Sequence, residues 1–168
     1  MIVISDTTPI LSLLKAEQLD LLQKLFDKVV IPEKVYEELT TNLIFESEKS
    51  VIVNCPFIIV EKVRNQESVK LLRNITGLDA GESEALILYE EKNADLLFID
   101  EHKGRSVARK MSVKHVGTMG ILMMAYDQKI MSAPEVRHCL EMLLDQDIRL
   151  SKTLCNKVLN YVGLDSMF

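Results

Sequence analysis

Cysteine and histidine are scarce in this 168-residue chain, three of each, and neither set is grouped. Cys55, Cys139 and Cys155 are odd in number and lack CxxC spacing, so they exclude a disulfide framework and read as small buried apolar residues in a reducing compartment. His102, His115 and His138 are scattered, which argues against a zinc site. No apolar run approaches membrane-spanning length. The apolar start of the chain is too short for a signal peptide and has no basic segment before it. These absences predict a cytoplasmic protein with no membrane partner. Positive charge is also lacking. The net charge is −5, so no global basic field draws in nucleic acid, and any polyanion must be held by a local patch or by bound metal ions. Repeats, low-complexity runs and linkers are absent too, and no Ser-His-Asp or Cys-His arrangement offers a dedicated nucleophile.

What remains is ordinary globular composition, 48% apolar and 27% charged, in a length that suits one domain over residues 1–168 with a sizeable core. The first stretch organises the rest. Met1 to Ser5 is a short, mostly apolar run of the kind that forms a strand buried on both faces, and it stops at Asp6. A threonine, Thr7 or Thr8, then serves as N-cap and Pro9 falls in the first turn of a helix. Further apolar runs at 28–31, 57–60, 94–99 and 113–116 read as strands. The intervening periodic segments read as helices: 10–26 with a break near 16–18, 33–39, 65–74, 83–92, 103–111, and Thr118 as N-cap of a helix to about 129. Two more, about 133–144 and 150–162, follow. Residues 42–68 are the least legible. Continuous apolar strands alternating with helices imply an α/β fold with a mainly parallel sheet covered on both faces and a helical C-terminal tail.

The acids carry the chemistry. Asp6 and Asp100 share one description: each is the first polar residue after a buried strand, and each precedes a helix. Parallel strands deliver such residues to one edge, where neighbours lie about 5 Å apart and where open α/β sheets bind ligands. Both could equally serve as helix caps. Glu82, in Asp79-Ala80-Gly81-Glu82, has the spacing of a capping box, and Gly81 permits close backbone approach. Glu84 lies about 200° further round the helix, so the two cannot face one point. After the second strand, Val35 and Leu39 mark the buried stripe. Glu38 lies about 60° from Val35 and Glu37 about 160° away, which turns Glu38 toward the core side and Glu37 toward water. Carboxylates converging in one cleft need a cation among them, and oxygen-only ligands select a hard ion, Mg²⁺ or Mn²⁺. Such a site suits phosphodiester hydrolysis. A local basic run follows Asp100: Lys103, Arg105, Arg109, Lys110 and Lys114, with no acid among residues 102–115. Arg105 and Arg109 share a helical face suited to phosphate.

Five segments in order now resemble the PIN domain: Asp-Thr-Thr-Pro after the first strand, Pro-Glu-x-Val-x-x-Glu-Leu (32–39), Leu-Asp-x-Gly-Glu-x-Glu-Ala (78–85), Phe-Ile-Asp-Glu-x-x-Gly-Arg-x-x-Ala (98–108) and Val-Gly-Thr-x-Gly-x-Leu (116–122). More narrowly, the chain is similar to the prokaryotic PIN branch related to VapC-type toxins. The resemblance implies a three-layer α/β/α fold and Mg²⁺- or Mn²⁺-dependent endoribonuclease activity on RNA. It also implies an acidic site of Asp6, Glu38, Glu82 and Asp100, with Asp6, Glu82 and Asp100 on the metal and Glu38 on the attacking water. Lys103, Arg105, Arg109 and Thr118 are the expected RNA contacts. A protein antitoxin and a homodimer are the expected partners. The third acid departs from better-studied members, which commonly carry Asp before an Ala-Leu-Ile stretch inside the helix. Here that residue is Glu84, whereas this branch's Gly-Glu signature falls on Glu82. The alternative is a PIN module that binds RNA or a protein without cutting. A nucleophilic Asp of the haloacid dehalogenase type is disfavoured, because the position two residues on is Thr8.

Overall fold

In a computed structural model, residues 1–41, 46–146 and 148–168 are described. Five short strands, β1 (Val3–Ser5), β2 (Val29–Pro32), β3 (Ile58–Glu61), β4 (Leu96–Phe98) and β5 (His115–Val116), form one parallel sheet in the order β3-β2-β1-β4-β5. Helices fill the connections. Between β1 and β2 lie α1 (Thr7–Lys15) and α2 (Leu21–Phe26), and between β2 and β3 lie α3 (Glu33–Thr41) and α4 (Glu46–Val53). Between β3 and β4 come α5 (Gln66–Thr76) and α6 (Ala80–Lys92), and α7 (His102–Lys110) leads into β5. Beyond the sheet come α8 (Thr118–Asp127), α9 (Ala133–Asp145) and α10 (Lys152–Tyr161).

Strand alternation divides the core. Val3, Val29, Ile31, Ile58, Leu96 and Phe98 face one side, with α1, α2, α8, α9 and α10 packed over them. Ile4, Leu97 and Ile99 face the other, under α5, α6 and α7. The result is the three-layer α/β/α arrangement, with strands buried on both faces as their unbroken apolar runs predict. Phe26 against Phe98, ring centroids 5.1 Å apart, ties the end of α2 to the middle of the sheet.

The chain lays strands outward from β1 on one side, then returns to add β4 and β5 on the other. The β1/β4 boundary is therefore the switch point, where connections leave for opposite faces and a crevice opens at the strand ends. Asp6 and Asp100 flank it. The β1/β4 register pairs Ser5 with Phe98 and the Asp6 amide donates to the Phe98 carbonyl at 2.9 Å, so Asp6 stands opposite Ile99, one position short of Asp100.

Several boundaries differ from the sequence reading. Asp6, not a threonine, occupies the N-cap position of α1, its backbone extended and its side chain making no capping bond, with Thr7 already helical. Likewise Gly117 stands at the N-cap of α8 and Thr118 is its first residue, because Thr118 turns its donors onto Asp100. Helix α6 starts at Ala80, three residues before the expected Ser83, since a complete capping box nucleates it there. α4 is a helix that the sequence did not announce. Residues 42–45, part of the least legible stretch, lie outside the described residues.

Candidate carboxylate site at the sheet edge

A helix that precedes a parallel strand begins at the edge where the last strand ended. The N-termini of α1, α3, α6, α7 and α8 therefore gather at the C-terminal edge of the sheet, and their dipoles favour negative charge there. Asp6 leaves β1 directly and is 3% exposed. Burial pushes its carboxyl well above the ordinary aspartate range; the adjacent Thr7 amide opposes this, while Asp79, Glu82 and Glu38 raise it further. Asp6 thus feels the charges of both Glu82 and Glu38.

Glu82 is 5% exposed. Its Oε2 accepts from the Asp79 amide at 3.2 Å while Asp79 Oδ1 accepts from the Glu82 amide at 2.8 Å, completing the capping box. Its Oε1 has no hydrogen-bond partner; among the described residues only Ser83 Oγ shares that condition as a buried side-chain oxygen. Burial raises the Glu82 carboxyl, with Asp79 adding to the rise. Glu84 points elsewhere and accepts from the Lys34 amide at the start of α3 at 3.2 Å. Of the two glutamates, the structure brings Glu82 to the acids.

Glu38 is half-buried and Glu37 exposed, in keeping with their positions on the helical wheel. Thr7 donates its hydroxyl to Glu38 Oε2, and the Gly81 amide also reaches this carboxyl. Burial raises it despite these bonds. Asp100 is bound differently: Thr118 donates its amide to Oδ1 at 2.7 Å and its hydroxyl to Oδ2 at 2.6 Å. Burial still raises Asp100, while these two bonds and the Arg105 charge pull the other way.

Three of the four acids sit on glycines. A β-carbon at Gly81 would lie 2.7 Å from Glu38 Oε2, one at Gly104 2.6 Å from Glu82 Oε1, and one at Gly117 2.5 Å from Asp100 Oδ1. The close approach foreseen at Gly81 is that of a protein carboxylate. Among the expected RNA contacts, Arg105 is half-buried beside Asp100, Arg109 is exposed, and Lys103 donates to the Gly77 carbonyl at 2.8 Å. Thr118 spends both donors on Asp100. Sequence reading gave Asp79 only as a cap, yet it faces Asp6, Glu38 and Glu82.

Among the described residues no group of three His, Cys, Asp or Glu side chains is already gathered as a set that could hold a metal ion. The donors nonetheless suit one. They are all oxygens, Asp6 is held against the charges of Asp79, Glu82 and Glu38, and a buried Glu82 oxygen lacks any partner, as expected where a hard cation binds.

A parallel α/β/α sheet with buried carboxylates collected at its switch point defines a class of metal-assisted hydrolytic scaffolds. The chain belongs to the PIN-domain family: a family model described as a PIN domain matches residues 2–164. Members of this family are generally nucleases that use divalent metal ions. No curated protein and no solved structure matches the chain. None of the described helices is long and apolar enough to cross a membrane.

Proposed function

We propose that this chain is a Mg²⁺- or Mn²⁺-dependent endoribonuclease with Asp6, Glu38, Glu82 and Asp100 as its acidic residues. The observation that carries the reading is the unpartnered, buried Glu82 Oε1, in a carboxyl that burial and the neighbouring Asp79 raise, close to Asp6, which burial and neighbouring acids also raise. Asp6, Glu82 and Asp100 hold the cation. When bound, it supplies charge to orient and acidify a water and to offset the negative charge of the reacting phosphate. Glu38, fixed by Thr7 and the Gly81 amide, orients that water and takes its proton. Asp100 is kept from swinging by its two bonds to Thr118, and Arg105 beside it meets a phosphate oxygen. The narrower reading is a toxin of a toxin–antitoxin pair, acting in the cytoplasm as a homodimer and restrained by a protein antitoxin. It rests on the motif resemblance to the VapC-related branch.

The test is RNA cleavage with Mg²⁺ or Mn²⁺ by the wild type and by Asp6→Asn. The variant is expected to lose on the order of 10³-fold in rate. Equal activity of the two, or cleavage that survives excess chelator, overturns the assignment. A second reading, a PIN module that binds RNA or a protein without cutting, is favoured by the lack of a ready three-ligand group among the described residues. It predicts binding without cleavage, unchanged in Asp100→Asn.

A further inference from the structure

A groove of about 470 Å³ opens beside Asp100, bounded by Thr8 and Ser12 of α1, by the start of α8, and by residues 148–154 between and along the last two helices. Its volume lies within the range of about 300–1,000 Å³ typical of clefts for small organic groups. One end is polar, with Asp100, Glu101 and Thr118, so two carboxylates lie there beside Arg105. The floor is apolar, built from Met119 and Leu143, both buried, together with Ile148, Leu150 and the partly exposed Leu154. Two arginines line it. Arg105 stands at the acid end and Arg149 is exposed on the side of the last two helices. Neither makes an ion pair or side-chain hydrogen bond among the described residues. Arg105 already acts on the Asp100 carboxyl, but Arg149 has no such counter-charge among the described residues, and in a chain of net charge −5 an exposed arginine at the rim of an apolar floor needs a reason.

We propose that this groove is a subsite for one unpaired nucleotide of the RNA strand: its base lies on the apolar floor, Arg105 meets the phosphate at the acid end and Arg149 the phosphate on the other side. The proposal rests on the nuclease reading for the identity of the substrate. Three observations select a nucleotide. An apolar floor alone would take any apolar group. Guanidinium groups along the same groove call for an anion attached to it, and continuity with Asp100 places that ligand where a phosphodiester would enter. A base inside a duplex has both faces stacked and cannot lie on such a floor, so the groove admits single strands and excludes paired ones. Arg149 thereby becomes a residue that sets substrate class from outside the acid cluster.

Fluorescence anisotropy of wild type, Arg149→Gln and Arg149→Lys, all in excess chelator, tests this with a labelled single-stranded oligoribonucleotide, its duplex and a strand carrying abasic positions. Arg149→Gln is expected to weaken single-strand binding by about tenfold and to lower the salt dependence by roughly 0.7 in log–log slope, the contribution of one phosphate contact. Arg149→Lys restores most of both. The abasic strand is expected to bind the wild type on the order of tenfold more weakly than the intact strand. The proposal is overturned if Arg149→Gln binds as well as wild type, if abasic and intact strands bind alike, or if the duplex competes equally. Loss of a protein partner's binding with RNA binding intact likewise overturns it. Arg149-dependent binding without Asp6-dependent cleavage keeps the subsite and rejects the nuclease. Asp6-dependent cleavage indifferent to Arg149 does the reverse.

Discussion

Two capping boxes stand among the described residues, at α6 and α9, and they have opposite electrostatics. At α9, Ser132 and Glu135 satisfy each other at the surface: Glu135 Oε2 accepts from the Ser132 amide and hydroxyl, both at 2.7 Å, and these bonds hold the Glu135 carboxyl below its ordinary range. At α6, Asp79 and Glu82 make the same reciprocal pair, yet burial drives Glu82 upward and one of its oxygens has no partner. The shared motif accounts for one carboxylate oxygen in each case. What the cap leaves unexplained at Glu82 is the oxygen that the proposed function assigns to a cation, so on that proposal one side chain serves both the helix and the site.

The sharpest way to separate the two boxes is Glu→Gln at each, since glutamine keeps an acceptor for the cap and removes the charge. Glu82→Gln is expected to lower RNA cleavage by about 10²–10⁴-fold, while Glu135→Gln leaves the rate unchanged in the same assay. The second test is calorimetric. Mn²⁺ at about a hundred times its Kd adds about 2.7 kcal/mol to the stability of a protein that binds it only when folded. In a chain of this size that raises Tm by roughly 5–10 °C. The rise is expected in wild type and Glu135→Gln and to be much smaller in Glu82→Gln.

Third comes pH. Asp6 and Glu82 have folded-state values raised above the unfolded ones, so from about pH 4 upward the unfolded chain gives up protons that the folded chain retains. Their contribution is full below the unfolded value and is lost as pH rises through the folded value. Metal-free Asp6→Asn should therefore gain on wild type as pH rises, by on the order of 1 kcal/mol, as read from urea midpoints at several pH values. Glu135 has the opposite sign: its contribution is present above the unfolded value and lost as pH falls through the lowered one. A gap between Asp6→Asn and wild type that does not change with pH refutes the raised Asp6 carboxyl, whose main cause is burial. The smallest effect is at the surface box, where Ser132→Ala is expected to lower Tm by about 2–4 °C with no change in cleavage.

Much of this was legible in residues. The apolar runs ending at Asp6 and Asp100 named two strand ends on one edge, because a strand buried on both faces must be apolar throughout; that the two strands are neighbours is a matter of pairing. Val35 and Leu39 fixed the helical stripe and so separated Glu38 from Glu37. Other features depend on three-dimensional partners. Choosing Glu82 over Glu84 required knowing that Glu84 binds the Lys34 amide, fifty residues away. The offsets at Asp6 and Gly117 arise because tertiary bonds to Phe98 and from Thr118 override local cap preference. Helix α4 buries a single residue, Ile52, and so carries no apolar stripe to read. Arg149 stands in a tail whose position over Asp100 nothing local encodes.

The strand order also sets when the site can exist. β1 is made first but acquires its β4 neighbour only after more than ninety further residues, since Val3 pairs with Leu96. A growing chain ending at residue 92 already carries Asp6, Glu38 and Glu82 but lacks Asp100, Arg105 and the strand that closes one wall of the crevice. That pairing closes a long loop, and such contacts come late in folding. The acid cluster is thus completed only once β4 and Asp100 have been made, and a chain interrupted before β4 lacks it.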